Sequence, residues 1–108
     1  MISITILENS KKNYQGIILE GHAGYAKRGY DIVCASVSIL VMNTINAIET
    51  YTRDVIEVES NEAEGYIGMR FVNDISSEAT LLMDAMILGL SGIEDQYGKY
   101  VKILIEEV

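Results

Sequence analysis

Two side chains with nucleophilic or acid–base reactivity near neutral pH occur once each in this chain: the thiol of Cys34 and the imidazole of His22. Thiol catalysis needs a thiolate, a base or cation that favours it, and donors for an oxyanion. Asp31, shortly before the cysteine, is a favoured N-cap, and apolar periodicity starts immediately after it. A helix starting there has Cys34 as its third residue, at the positive end of the helix dipole, where reactive thiols are found. The free N–H groups of that first turn are candidates to face a developing oxyanion. Ser38 follows one turn later on neighbouring helix surface, placed either to line the site or to bond back to a helix carbonyl. His22 closes a strand ahead of a glycine-containing loop, so loop closure brings imidazole and thiol together.

Each residue also has a plain alternative. A lone cysteine followed by Ala35 and Val37 reads by composition as a small buried hydrophobe, and a histidine at a strand end as a structural or surface residue. Asp31 is most simply a cap, and its charge by itself disfavours a nearby thiolate. The rival to catalysis is therefore a non-catalytic protein-binding module with a structural buried cysteine. A redox sensor fits less well, because no resolving cysteine exists within the chain.

The 108 residues suit one domain, 1–108, and 49% hydrophobic content with no proline is globular composition. A net charge of -8 argues against direct nucleic-acid binding through a basic face and favours a basic partner. One cysteine and one histidine supply neither an internal disulfide nor an ordinary zinc site, so no metal is expected. No phosphate-binding glycine motif and no Cys-x-x-Cys occurs, and no cofactor is implied. Met1 leads straight into strand alternation with no targeting segment, which places the protein in the cytoplasm, where Cys34 stays a free thiol. The apolar run 32–42 is short for a membrane span and reads as a buried helix, so no membrane partner is expected.

The elements that must position the pair follow from periodicity. Ile2, Ile4 and Ile6 alternate as a strand, 9–13 turns, and 15–21 returns as its hairpin partner, ending at His22. From Ala23 to Tyr30 the pattern lapses, with Gly24 and Gly29 giving room for positive φ. A helix from Asp31 to about Tyr51 carries Val33, Val37, Val41, Thr44, Ile48 and Tyr51 on one stripe, widened by Leu40 and Ile45. Its polar stripe is narrow, so it needs cover on more than one side. A second hairpin spans 55–59 and 66–72, with 60–65 as its turn. A second helix runs from Ser76 or Ser77, with Glu78 in its first turn, to Tyr97. Gly89 and Gly92 inside it suggest close packing of another backbone. Residues 100–108 form a last strand with Val101, Ile103 and Ile105 inward. The order strand, strand, helix, strand, strand, helix, strand gives an α+β fold, two helices on a mixed, mainly antiparallel sheet.

The text around the reactive pair is Gly21-His22-Ala23-Gly24-Tyr25-Ala26, then Gly29, then Asp31-Ile32-Val33-Cys34-Ala35-Ser36-Val37-Ser38. It resembles the ribosomal-processing cysteine protease family of Firmicutes and related bacteria, in both blocks, their spacing and the element order. The resemblance implies that His22 and Cys34 are a catalytic dyad; beside it, Gly21, Asp31 and Ser38 are the residues expected to support the site. It also implies a homodimer, and as substrate the N-terminal extension of a large-subunit ribosomal protein precursor, cleaved through a thioester. Ser36 stands where the family pattern suggests a second alanine, and Lys27, Arg28 and Tyr30 look variable. The acidic residues Glu57, Glu59, Glu62 and Glu64 read as a solvated hairpin face and secondarily as an attraction for a basic substrate.

Overall fold

In the computed structural model, which describes residues 1–27 and 31–108, β1 (Ile2–Glu8) and β2 (Tyr14–Glu20) pair antiparallel, with Ile4 opposite Leu19 and Ile6 opposite Ile17. The expectations for Arg28, Gly29 and Tyr30 lie outside the described residues. The β1–β2 turn is held by the Asn9 side-chain oxygen, which accepts from the amides of Lys11 and Asn13, both at 3.0 Å. Local side-chain bonds of this kind are why asparagine initiates turns.

α1 (Ile32–Tyr51) crosses to the second hairpin, β3 (Ile56–Asn61) and β4 (Tyr66–Phe71), then α2 (Ser77–Tyr97) leads to β5 (Val101–Glu107). The sheet order is β3-β4-β2-β1-β5, antiparallel except that β5 lies parallel to β1, so the mixed, mainly antiparallel α+β architecture is as expected. β3 starts one residue late because Val55 is engaged outside the ladder. Its amide takes the Asn73 side-chain oxygen at 2.9 Å, and its carbonyl accepts from Val72.

One face of the sheet and both helices build a single core of Ile2, Ile4, Ile6, Ile17, Leu19, Met69 and Val101 with Val33, Val37, Val41, Ile45 and Ile48 of α1 and Ala79, Met83, Met86 and Leu90 of α2. α1 is rich in β-branched residues, which lower helix propensity, so its stability comes from this packing. Each fully buried Val or Ile contributes roughly 1.5–3 kcal/mol, well above its propensity cost of under about 1 kcal/mol. By length and a mean hydropathy of 1.6, α1 falls in the range of a membrane-crossing helix, yet its apolar stripe is spent on this core.

Three expectations of the helical pattern are corrected. Tyr51 is 80% exposed, because the helix has run past the sheet by its last turn. Gly89 makes room for a side chain rather than a backbone, since a Cβ there would stand 3.0 Å from Leu40 Cδ1. Gly92 faces open space and permits no close approach at all. At the end of β5, Ile105 points to the helix side of the sheet but is 69% exposed, beyond the reach of either helix.

Candidate active site

Asp31 caps α1 as the sequence predicts: its Oδ1 accepts from the Val33 and Cys34 amides, each at 3.0 Å, and its Oδ2 from the Tyr25 amide at 3.1 Å. One carboxylate thus starts the helix and ties the loop after β2 to it. Two of the first-turn amides expected to be open to an oxyanion, those of Val33 and Cys34, are therefore already taken by the cap.

Cys34 is partly buried, and its Sγ accepts from the Ala23 amide at 3.1 Å. Burial pushes the thiol up, the Ala23 amide offsets part of that, and the nearby Asp31 charge adds to the rise. The thiol at this helix start is therefore raised overall, where the dipole argument alone expects a lowered one; desolvation leads and the cap's negative charge adds to it. Burial would likewise raise Asp31, but the amides of Cys34, Tyr25 and Val33, together with the Cys34 side chain, hold its carboxyl below the usual range.

His22 and Cys34 line the same cleft, about 730 Å³ in volume, as the sequence predicts, and Gly21, Asp31 and Ser38 line it too. Of the two serines near the thiol, it is Ser36 that bonds back, to the Ile32 carbonyl at 2.6 Å, so it turns from the chemistry while Ser38 faces the cleft. Gly24, at φ 72, adopts the positive φ expected of the loop.

The opposite wall comes from the second hairpin and was not predicted: Ser60, Glu62, Gly65, Tyr66 and Ile67. The carboxylate of Glu62 stands among them, so the acidic hairpin does reach the site. Ile2, Leu19 and Met42 give the cleft apolar floor. Tyr25 in turn packs edge-on against Tyr97 and Tyr100, with ring centroids 5.7 and 5.2 Å away, which docks the loop on the corner between α2 and β5.

A thiol at the head of a helix, sharing a cleft with an imidazole, is the arrangement of a cysteine-dependent hydrolase, here on a small α+β scaffold. The family model described as "Cysteine protease Prp" matches residues 1–102. The chain belongs to this family of cysteine proteases. It is 30% identical over 107 residues to the ribosomal processing cysteine protease Prp of Bacillus subtilis, covering 95% of this chain and 96% of that protein. To the Staphylococcus aureus (strain Mu50) protein of the same name it is 29% identical over 103 residues, covering 95% and 97%. The S. aureus Prp crystal structure with a covalently linked product peptide superposes with a TM-score of 0.93 at 28% identity, over 98% of this chain and all of that one. The S. aureus structure with a substrate peptide superposes with a TM-score of 0.88 at 27% identity, over 98% of this chain.

Proposed function

We propose that this protein is an endopeptidase that removes the N-terminal extension of a large-subunit ribosomal protein, with Cys34 as nucleophile and His22 as the group that accepts and returns its proton. The observation that carries this reading is the shared cleft of Cys34 and His22, in which the residue next to the histidine, Ala23, holds Cys34 Sγ through its amide. The name and bound peptides of the S. aureus relative support the substrate class, and the charge of -8 suits a basic ribosomal protein.

Because the thiol is raised, the resting nucleophile is Cys34 Sγ–H. His22 takes that proton as the sulfur attacks the scissile carbonyl, and a tetrahedral oxyanion forms. Collapse breaks the C–N bond while the imidazolium protonates the leaving amine, leaving a thioester on Cys34. Water, deprotonated by His22, attacks the thioester, and the thiol leaves with the proton returned. The oxyanion needs a donor other than the amides bound by Asp31; the Ala23 N–H, which already meets the sulfur, is placed to turn to it.

The protein works in the cytoplasm, where the thiol stays reduced, and as a homodimer. Support for the dimer is the apolar surface left on both helices, Ile32, Ile39 and Met42 of α1 and Leu81 and Leu88 of α2. A monomer in sedimentation at micromolar concentration would remove the dimer from the proposal.

The test of the chemistry is incubation with a peptide spanning the ribosomal extension, repeated with Cys34→Ser and His22→Ala. Single-site cleavage should fall by on the order of 10²–10⁴-fold without the imidazole and further without the thiol. Equal cleavage by all three proteins, or by none, would leave the non-catalytic binding module as the better reading.

A further inference from the structure

We propose that Gly65, at the end of the β3–β4 turn, is a positioning residue for His22, an inference that rests on the reading of His22 as the catalytic base. β2 ends at Glu20, and the next residue, Gly21, is held between two backbones. On one side a Cβ on Gly21 would stand 2.5 Å from the Met1 carbonyl oxygen; on the other its amide donates to the Gly65 carbonyl at 3.0 Å. Gly65 completes the grip from its own side. A Cβ there would stand 2.5 Å from the Gly21 carbonyl oxygen and 3.0 Å from His22 Cε1.

These contacts are closer than a methyl group tolerates, and one of them is to backbone, which cannot swing away. Gly65 also holds φ at 63, with its amide bonded to the Glu62 carbonyl at 3.2 Å, so its place is set by the turn and not by the histidine. His22 is exposed, and among the described residues its ring has no hydrogen-bond partner. A ring without a polar orienter takes its direction from what stands beside it, and the Gly65 backbone stands so near that an added Cβ would lie 3.0 Å from Cε1. The second hairpin therefore fixes the imidazole that the first hairpin delivers.

This chain has a single histidine, so one imidazole Hε1 signal reports on the ring without assignment ambiguity. A nuclear Overhauser contact between His22 Hε1 and the Gly65 α-protons is expected in the unmodified protein. In Gly65→Ala that contact should vanish, and kcat on the ribosomal peptide should fall on the order of 10²-fold with KM changed far less, as for a displaced catalytic group. Gly65→Asn separates contact from conformation, because asparagine accepts left-handed backbone but still carries a Cβ. It should lose as much activity as the alanine variant. Wild-type kcat in Gly65→Asn, or absence of the Overhauser contact in the folded parent, would overturn the proposal. The contact is read without any substrate, so it decides on Gly65 when a variant does not fold. It also does so when no ribosomal peptide is cleaved, an outcome that counts against the proposed function alone.

Discussion

The Ala23 amide donates to Cys34 Sγ at 3.1 Å, while Asp31 raises the thiol that Ala23 helps to lower. The balance falls to a protonated thiol, because burial adds to the Asp31 charge. On the proposed mechanism, cleavage relies on His22 to take the proton during attack rather than on a thiolate waiting in the resting site.

Replacing the charge while keeping the cap tests this effect. In Asp31→Asn the side-chain oxygen still accepts from the first-turn amides, and asparagine caps about as well as aspartate, while the exposed Tyr25 amide gives up its acceptor. The thiol should become more acidic, and alkylation of Cys34 by iodoacetamide at roughly pH 7 should speed up about three- to ten-fold. Stability to urea should change by less than about 1 kcal/mol. A slower or equal alkylation rate would show that Asp31 does not oppose the thiolate.

A second carboxylate makes a pH prediction for the fold. Asp54 is buried, its Oδ2 accepts from the Ser76 amide at 2.8 Å, and its Oδ1 accepts from the Ser76 hydroxyl. Burial would raise it, but the bonds from Ser76 and Thr52 hold it below the ordinary carboxylate range. Its stabilisation is complete above the unfolded-state value of about 3.9 and disappears as pH falls through the lower folded value. Asp54→Ala should therefore cost about 1.5–3 kcal/mol at neutral pH, with the gap to the parent protein closing in acid. Urea unfolding across that pH range measures it, and a gap independent of pH would refute it.

Loop docking by Tyr25 should appear in substrate binding. Each edge-to-face ring pair contributes about 0.5–1.5 kcal/mol, so Tyr97→Leu together with Tyr100→Leu should free the loop bearing Gly24 and Ala26, which line the cleft. KM for the peptide should rise while thermal stability changes modestly. Hydrogen exchange at the Tyr25 amide should quicken, and unchanged exchange would mean that Asp31 alone holds the loop.

Glu62 should read charge in the substrate. Glu62→Lys places a cation on the cleft wall, so KM for a peptide with lysine or arginine near the cleavage site should rise about two- to five-fold relative to a neutral peptide. The difference should shrink in high salt. An equal effect on both peptides would assign Glu62 to the fold of the turn instead.

The cap, the cleft shared by His22 and Cys34 and the element order were legible in the sequence because each rests on local pattern: Asp31 before an apolar run, alternation in β1, helical spacing in α1. The far wall was not, because Gly65 acts by lacking a side chain and Glu62 looks like any solvated turn residue until β4 pairs with β2. Tyr51 and Gly92 failed for another reason. Helical spacing gives the angle at which a residue projects but not where along the axis the neighbouring layer stops. The sign of the thiol shift depends on burial and the Asp31 charge set against the Ala23 amide, a balance that the order of residues does not reveal.

The parallel pairing of β1 with β5 has a consequence for the time of assembly. The first strand enters the sheet beside a strand that is synthesised last, with the Ile2 amide bonded to the Tyr100 carbonyl and Val108 to Glu8. Ile2 is also cleft floor. The two hairpins rest on local contacts that form early, whereas the floor under Cys34 and His22 is seated by this later-closing contact of long sequence separation, so loosening β5 should loosen the cleft.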